Sequence, residues 1–283
     1  MSSILTGINT GVIRHGKQFT ALALKINQQH EQLLLLIPAL PLRDLFICFE
    51  YRLHLQSLRN AKDKATFKKR QEIATAQMHK HIPSLIQSEL QEAGLHQCIT
   101  KIEPNNKRKN ELQLTMTLQG GNTLSLLIDD AQIALFVSAI SHAINNAGMH
   151  TLSLRLSSLL DFLPLYDATI KNNGELEYDS YPHPAWKLAL FSETLALVYH
   201  YADEHGEQQA YGTVIKTRLR SEMKETQAIA QRLLAFSPRL KKLEGKKCQT
   251  SVFTLASGTE YVPREHCLRA LHALWQKSGK SIP

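Results

Sequence analysis

The stretch LLLLIPALPLRDLFICFEYRL at residues 33–53 decides the fold, because a matching pattern, LSLLIDDAQIALFVSAISHAI, occupies residues 124–144. In both stretches a short apolar run is followed by a proline or an aspartate and then by apolar residues three and four positions apart, which is the spacing of one helix face. That face consists of Leu42, Leu45, Phe46, Phe49 and Leu53 in the first stretch and of Ile133, Phe136, Val137, Ile140 and Ile144 in the second. The two stretches align without a gap at an offset of 91 residues. Such self-similarity indicates one supersecondary unit used twice.

A β-hairpin signal precedes each helical stretch. Residues 19–26 form an alternating run that returns through a polar turn into the apolar residues 33–37. Residues 112–118 return in the same way through the GGN turn at residues 120–122. Polar turns between apolar runs predict antiparallel hairpins. We therefore predict an α+β fold of pseudo-repeated antiparallel β-hairpin sheets, each followed by an amphipathic helix.

The pattern becomes less regular after the second stretch, and we place a domain boundary near residue 150. The first domain, residues 1–150, holds both copies of the hairpin and helix. The second, residues 151–283, is predicted to be a basic α+β domain in which a hairpin followed by a helix recurs loosely. Within it we predict a strand at residues 186–191 and a helix from about Glu222 to Phe236.

The composition is that of an ordinary globular chain, with 43% hydrophobic and 20% charged residues in 283. No apolar run reaches the roughly 18 residues that a membrane-spanning helix needs, and the N-terminus lacks the pattern of a secretory signal. The cysteines, Cys48, Cys98, Cys248 and Cys267, include no C-x-x-C pair, which favours reduced thiols. We therefore expect a cytoplasmic protein that does not enter a membrane.

Positive charge is concentrated in residues 211–247, which we call the basic window. The formal net charge of the chain is +8, and this window holds ten basic and three acidic side chains. Basic clusters attract phosphate-bearing partners through counterion release. All the basic residues except Arg232 are taken as candidate nucleic-acid-binding residues: Lys216, Arg218, Arg220, Lys224, Arg239, Lys241, Lys242, Lys246 and Lys247. The alternative is ordinary surface charge, which many basic domains carry without binding nucleic acid.

Two smaller basic clusters and one aromatic group lie outside this window. The basic clusters are Lys62, Lys64, Lys68, Lys69 and Arg70, and the loop triplet Lys107, Arg108 and Lys109. The aromatic group consists of Tyr178, Tyr181, Trp186, Tyr199 and Tyr201. Aromatic side chains on strands near arginine and lysine can stack on bases. Packing of the same rings in the core is the competing interpretation, since aromatic residues are common in strands.

Local signatures of common enzymes are absent from the sequence. It contains no G-x-x-x-x-G-K-[ST], G-x-G-x-x-G, H-E-x-x-H or G-x-S-x-G motif. Asp129 and Asp130 can be interpreted as a paired carboxylate or as helix caps, and their place between a strand and a helix favours capping. We expect no cofactor, and an enzyme with a motif-free active site is the weakest hypothesis.

Histidines are numerous, at 13, but their spacing does not suit a metal site. His79 and His81 are two residues apart, and His266 and His272 are six apart with Cys267 between them. On a helix neither pair shares a face, whereas two ligands on one helix prefer a spacing of three or four residues. We predict no metal site.

Two functions remain open. The first is a non-enzymatic nucleic-acid-binding module in which the basic window contacts phosphates. The second is a protein-interaction or scaffold subunit without nucleic-acid binding, which docks a protein partner through the charged helical stretch at residues 61–80 or through an exposed sheet edge.

The opening of the chain also resembles a known family. The segments GINTGVI at residues 7–13, LALK at residues 22–25 and LLIPA at residues 35–39 resemble YjeJ-like proteins, an uncharacterised enterobacterial family, and the likeness is firmest in the first 60 residues. The family implies no activity, so it assigns no functional residue. The order of several strands followed by one helix, used twice, also resembles PUR-like and Whirly-like single-strand binders in topology.

Overall fold

The structure is a computed structural model that describes residues 3–28, 31–105, 108–158, 160–202 and 206–279. The chain divides into two compact units, Met1–Leu160 and Asp161–Pro283. The boundary follows Leu160, since the helix His150–Ser158 packs in the first unit. Its residues Ser153 and Leu156 line a small cavity together with Phe46 and Ile144.

The first unit is built from six strands and five α-helices in its described residues. They are β1 (Ser3–His15), β2 (Gln18–Gln28), β3 (Glu31–Ile37), α1 (Ala39–Arg59), α2 (Lys64–Lys80), α3 (Gln87–Glu92), β4 (Ile99–Asn105), β5 (Glu111–Leu118), β6 (Thr123–Asp129), α4 (Ile133–Asn146) and α5 (His150–Ser158). The predicted hairpins are β2–β3 and β5–β6, with Leu24 opposite Leu35 and Leu114 opposite Leu126. The α+β class predicted from the sequence is confirmed. Part of the first predicted turn, residues 29 and 30, lies outside the described residues.

The sheet of the first unit joins the two copies through parallel pairs. Its strand order is β3-β2-β1-β6-β5-β4. Neighbours are antiparallel within each copy, but β1 runs parallel to β6, with Ile4 opposite Leu127. At the outer strands, Leu36 of β3 forms a parallel bridge with Cys98, the residue before β4. The first strand of each copy therefore lies beside the last strand of the other copy, which is the arrangement that a pseudo-two-fold axis produces.

The helices cross between the copies in the same way. Helix α1 packs on β4, and α4 packs on β1. The rings of Phe49 and Phe136 join the two helices, with their centroids 5.4 Å apart. Because the apolar stripe of each helix covers strands of the other copy, neither copy completes a core without its counterpart.

The predicted helix stripes form the core of this unit. The buried members are Leu42, Leu45, Phe46, Phe49, Ile133, Phe136, Ile140 and Ile144, while Leu53 and Val137 are half-buried. Each fully buried side chain of this kind contributes roughly 1.5–3 kcal/mol through removal of apolar surface from water. The three- and four-residue periodicity thus identified the packed face of both helices.

The second unit contains five strands and three α-helices in its described residues. They are β7 (Phe162–Ile170), β8 (Leu176–Ser180), α6 (Ala185–Leu188), β9 (Glu193–Ala202), β10 (Gln208–Thr217), α7 (Lys224–Phe236), β11 (Gln249–Ser257) and α8 (Arg264–Gly279). The strand order is β11-β9-β10-β7-β8, with every pair antiparallel. A short 3₁₀ helix at Leu240–Leu243 follows α7.

This sheet is covered on both faces. On one face, Leu271 and Cys267 of α8 pack against Ala196, Val198 and Val214. On the other face, the Tyr199 hydroxyl of β9 donates a hydrogen bond to the carbonyl oxygen of Ala230 in α7, at 2.9 Å. Strands buried on both faces read as continuous apolar runs, as β9 does.

One predicted strand is wrong. Residues 186–191 were expected to be extended, but Ala185–Leu188 form the short helix α6, and Ala189 closes it by donating to the carbonyl oxygen of Ala185 at 3.0 Å. Pro184 precedes the helix at its N-cap position. Proline favours helix starts because its fixed φ suits the first turn, and here that local preference prevails over the apolar run.

Candidate nucleic-acid interface

The basic window covers β10, the connection to α7, α7 itself and the 3₁₀ helix after it, all in the second unit. The structure divides its candidate residues into three groups. One residue is buried inside the unit, three lie beyond the C-terminal end of β10, and five lie on or near the 3₁₀ helix.

Lys216 is the buried residue, with only 1% of its surface exposed. Its Nζ donates to the carbonyl oxygen of Gly258 at 2.9 Å and lies 3.5 Å from that of Phe191. Burial lowers the pKa of the Lys216 ammonium, because the charged form loses its hydration. An ammonium enclosed by carbonyl groups does not lie on a phosphate-binding surface.

The second group consists of Arg218, Arg220 and Lys224. The Arg218 guanidinium lies 4.6 Å from the centroid of the Phe191 ring. The Nε of Arg220 lies 3.7 Å from the Oε1 of Glu193, and Lys224 is exposed at the start of α7. These contacts place the group at the end of the sheet where β10 finishes.

The third group, which we call the tyrosine-end cluster, lies at the other end of β10. It consists of Arg239, Lys241, Lys242, Lys246 and Lys247. The 3₁₀ helix contains Lys241 and Lys242, and its two leucines, Leu240 and Leu243, are buried. The four lysines of the cluster are exposed.

Three contacts anchor this cluster to the sheet. Arg239 donates from Nε to Asp179 Oδ2 of β8 and from Nη1 to Thr169 Oγ1 of β7, each at 2.8 Å. The hydrogen bond from Arg239 lowers the pKa of the Asp179 carboxyl. The Lys246 Nζ lies 4.6 Å from the centroid of the Tyr201 ring, at cation–π distance.

The two exposed groups are separated along β10. Tyr211 marks the tyrosine end, since its ring lies 6.2 Å from that of Tyr201. Thr217 marks the other end and is followed directly by Arg218. At about 3.3 Å per residue, the six steps from Tyr211 to Thr217 span about 20 Å. The basic window therefore forms two surfaces at opposite ends of the strand.

The aromatic residues singled out in the sequence have different surroundings. Tyr199 is fully buried, and Trp186 is half-buried in α6. Tyr181 donates from its hydroxyl to Asp167 Oδ2 at 2.9 Å, and Tyr178 packs edge-on against Tyr166. Tyr201 contacts the tyrosine-end cluster through Lys246.

Sequence reasoning missed Tyr211 as a neighbour of the cluster. It lies opposite Tyr199 in the β9–β10 register and is mostly buried. The sequence predicts a hairpin with its turn near residues 203–206. In such a hairpin Tyr211 would lie diagonally across the strand pair from Tyr201, on the same face of the sheet. This proximity is the signal that could have identified Tyr211.

Asp129 and Asp130 have separate roles. Asp129 Oδ1 accepts a hydrogen bond from the backbone N–H of Ala131 at 2.7 Å, as a cap does, and opens a 3₁₀ turn at Asp130–Gln132. Asp130 is buried and accepts from Arg52 Nε at 2.5 Å. Burial raises the pKa of the Asp130 carboxyl, although Arg52 acts in the opposite direction.

The smaller basic clusters both lie in the first unit. Lys62, Lys64, Lys68 and Lys69 are exposed on and before α2, and Arg70 pairs with Asp129 at 3.0 Å. In the loop triplet, Lys107 lies outside the described residues. The carbonyl oxygens of Arg108 and Lys109 accept hydrogen bonds from Arg52 Nη2.

No group of three histidine, cysteine or acidic side chains is placed to bind a metal ion in the part of the chain that the structure describes. Cys267 is buried on the packed face of α8, and the His272 ring packs on Trp275 at 5.5 Å between centroids. Among the described helices, none combines the length and the apolar character that crossing a membrane requires.

These features define a two-unit α+β protein: an interlocked repeat unit followed by a five-stranded unit with two basic clusters. The chain belongs to the YjeJ-like family, whose model matches residues 1–281. A relative from Escherichia coli (strain K12), named Uncharacterized protein YjeJ, is 41% identical over 286 aligned residues that cover 100% of this chain and 99% of the relative. The resemblance seen in the first 60 residues is confirmed and extends along the chain. No solved structure matches it significantly.

Proposed function

We propose that the protein binds nucleic acid through the tyrosine-end cluster of its second unit. The observation that carries this proposal is the joint placement of four exposed lysines and the Lys246–Tyr201 contact on one short segment fixed to the sheet. Nucleic-acid surfaces combine cationic groups that follow the phosphates with aromatic rings available to bases.

The local charge balance supports the same site. Arg239 is engaged by Asp179, so it acts as an anchor that holds the segment in place. The lysines at positions 241, 242, 246 and 247 extend from that anchor, and Glu244 is the one acidic residue among them in the sequence. A fixed segment loses less conformational entropy on binding than a flexible tail does.

The test is fluorescence anisotropy with labelled single-stranded and duplex oligonucleotides. If the four lysines of the cluster contact phosphates, affinity should fall by roughly 10²-fold between about 50 and about 200 mM salt. Reversing Lys241, Lys242, Lys246 and Lys247 to glutamate should abolish binding, and the strand form that wild type prefers identifies the binding mode.

A matched control is available in the first unit. Lys62, Lys64, Lys68 and Lys69 are also four exposed lysines, and their reversal to glutamate changes the net charge by the same amount. This control should retain binding. Loss of binding in both variants would mean that net charge alone attracts the oligonucleotide, and unaffected binding in the 241–247 variant would remove the cluster from consideration.

The second candidate function is a protein-interaction subunit that docks through residues 61–80. Helix α2 fills most of this stretch, and Met78 is the one buried side chain in it. Ile73 is 59% exposed on the same helix. Exposed apolar side chains on a charged helix are typical of a docking surface.

This candidate is tested by affinity purification with wild type and with the four-lysine variant of residues 62–69. A partner that is retained by the wild type and by the 241–247 variant, but lost from the 62–69 variant, would favour it. A partner retained by all three proteins would place the interaction elsewhere.

A further inference from the structure

Strand β11 is an edge strand of the sheet in the second unit. Its sequence, QTSVFTLAS, contains no charged residue and no proline. It pairs with β9 along its whole length, from Gln249 opposite His200 to Ser257 opposite Glu193. Among the described strands, β9 is its sole neighbour. Edge strands present unpaired N–H and C=O groups, so natural proteins usually place charges, prolines or bulges on them.

The other edges of the described sheets are protected. On β8, Glu177 pairs with Lys171 at 2.7 Å and Asp179 pairs with Arg239 at 2.8 Å. On β4, Lys101 pairs with Glu103 at 2.9 Å, and Pro104 lacks an N–H group.

Strand β3 is paired instead, at one residue, with the segment that precedes β4, the strand at the opposite edge of the same sheet. Its Leu36 forms the parallel bridge to Cys98. The edge of β11 therefore differs from the other three in having neither charge nor proline, although its pairing with β9 has one register irregularity, between Thr254 and Ala256.

The exposed side chain at the middle of this edge is Phe253, which is 50% exposed. A phenylalanine at the centre of an uncharged edge favours addition of another strand, because a cross-strand aromatic pair would remove its surface from water.

We propose that β11 pairs antiparallel with β11 of a second copy of this chain, about a two-fold axis at Phe253. Phe253 would lie opposite Phe253 of the second copy, and Val252 opposite Thr254. The two five-stranded sheets would join into one continuous sheet. Since β11 carries no charge, its self-pairing places no like charges opposite each other.

The charges flanking β11 select the antiparallel orientation. Lys246 precedes the strand and Glu260 follows it, each seven residues from Phe253. An antiparallel pair about Phe253 places Lys246 at the same end as Glu260 of the second copy, twice by symmetry. A parallel pair would place Lys246 beside Lys246, where the charges repel. Lys246 is common to this proposal and to the nucleic-acid proposal, but strand pairing does not require the other exposed lysines of the cluster, at positions 241, 242 and 247.

The first test is the solution mass as a function of concentration, by sedimentation or light scattering. The chain has a mass of 32.0 kDa, and wild type should reach twice that mass, with half-dissociation in the range of roughly 1–100 µM that a single added strand supports. Phe253→Lys should remain a monomer over the same range, because two ammonium groups would meet at the axis.

Tyr178→Lys is the matched control, since Tyr178 is a partly exposed aromatic residue on β8, the opposite edge of the same sheet. It should dimerise like wild type. Circular dichroism and thermal unfolding establish that both variants fold.

A disulfide test gives the register and remains informative if Phe253→Lys does not fold. Phe253→Cys should cross-link two chains under mild oxidation, because directly opposite Cα atoms lie about 4.5–5.5 Å apart, within disulfide range. Gln249→Cys should cross-link no more than wild type, since the two Gln249 positions would lie about 25 Å apart.

A wild-type mass of 32.0 kDa throughout that range would overturn the proposal. So would a dimer that persists in Phe253→Lys, or one that is lost equally in Tyr178→Lys. Equal cross-linking of Gln249→Cys and Phe253→Cys would reject the proposed axis.

Discussion

Arg52 and Lys216 are the most deeply buried basic side chains among the described residues of the first and the second unit, and they are held in different ways. Arg52 in the first unit has no exposed surface, and its guanidinium binds the Asp130 carboxylate and two carbonyl oxygens. Lys216 in the second unit is bound by backbone carbonyl oxygens, and burial lowers its pKa although the charge of the Glu193 carboxylate acts in the opposite direction. The comparison teaches that a buried cation with a carboxylate partner depends on that partner, whereas a buried ammonium on carbonyl dipoles can lose its proton instead.

The largest expected effect comes from removing the carboxylate in the first unit. Asp130→Ala leaves the Arg52 guanidinium buried without its counter-charge, and we expect a loss of about 3–5 kcal/mol in the free energy of unfolding. Urea unfolding followed by far-UV circular dichroism measures it. Both tryptophans, Trp186 and Trp275, lie in the second unit, so their fluorescence follows that unit separately.

The paired control for this variant is Arg52→Met with Asp130→Asn. Since neither charge remains alone, the double variant should be clearly more stable than Asp130→Ala. If the double variant is the less stable of the two, the loss of stability comes from losing the ion pair itself and not from leaving the Arg52 charge without a partner.

The second prediction concerns Lys216→Met, which we expect to change the free energy of unfolding by less than about 2 kcal/mol at neutral pH. The apolar replacement keeps the volume of the stem and removes a desolvated charge, although two carbonyl oxygens lose their donor. Tryptophan fluorescence during urea unfolding measures it. A loss as large as that of Asp130→Ala would mean that carbonyl groups hold the ammonium as firmly as a carboxylate holds Arg52.

The pH dependence of the same variant sharpens the comparison. The Lys216 pKa is lowered in the folded state, so below the ordinary value of 10.5 the unfolded chain binds the proton more tightly. Wild-type stability should therefore rise, relative to Lys216→Met, as the pH increases from neutrality towards that value. Parallel stability curves for the two proteins would show that Lys216 titrates alike in both states.

His200 provides a third, smaller test in the second unit. It is buried, its Nε2 lies 2.6 Å from Ser278 Oγ, and burial lowers its pKa below 6.5. The unfolded chain therefore binds the proton more tightly, and stability present above pH 6.5 should decline as the pH falls through that value.

The matched variant for this test is His200→Gln, which keeps a donor for Ser278 but has no titrating group. Its stability should decline less than that of wild type between neutral and mildly acidic pH. An equal decline in both proteins would assign the pH dependence to other groups.

The smallest expected effect is at Lys246, an exposed lysine of the tyrosine-end cluster. Lys246→Met loses the cation–π contact with Tyr201, which contributes about 0.5–1 kcal/mol at an exposed site, while its stem still covers the ring. Thermal unfolding by tryptophan fluorescence should show a shift near the limit of detection. A destabilisation above about 2 kcal/mol would indicate that the segment is structural, and that binding experiments on the lysine variants need correction for folding.

Local patterns in the sequence predicted the elements better than their assembly. Helical periodicity gave the packed faces of α1 and α4, and turn chemistry gave the hairpins β2–β3 and β5–β6. The parallel β1–β6 pair and the packing of α4 on β1 depend on contacts more than a hundred residues apart, for which no local pattern exists.

The candidate site shows the same limit. The positive charge of the window is visible in the sequence, but the burial of Lys216 follows from strand position. Lys216 is separated from Ala210 and Val214 by even numbers of residues, so it lies on the same face of β10 as these two residues, which pack against α8. The two-residue periodicity of a strand would therefore have predicted that Lys216 is buried. The separation of the two basic groups follows from the length of β10. It could be predicted only if residues 208–217 were known to form one continuous strand.

The interlocking of the two copies in the first unit has a consequence for biosynthesis. Ile4 pairs with Leu127, and the helix that covers β1 ends at Asn146. More than 120 residues after Ile4 must therefore be synthesised before β1 can pair with β6. The first copy therefore remains partly assembled until the second copy has been synthesised. The order in which this unit is synthesised thus differs from the order in which its core forms.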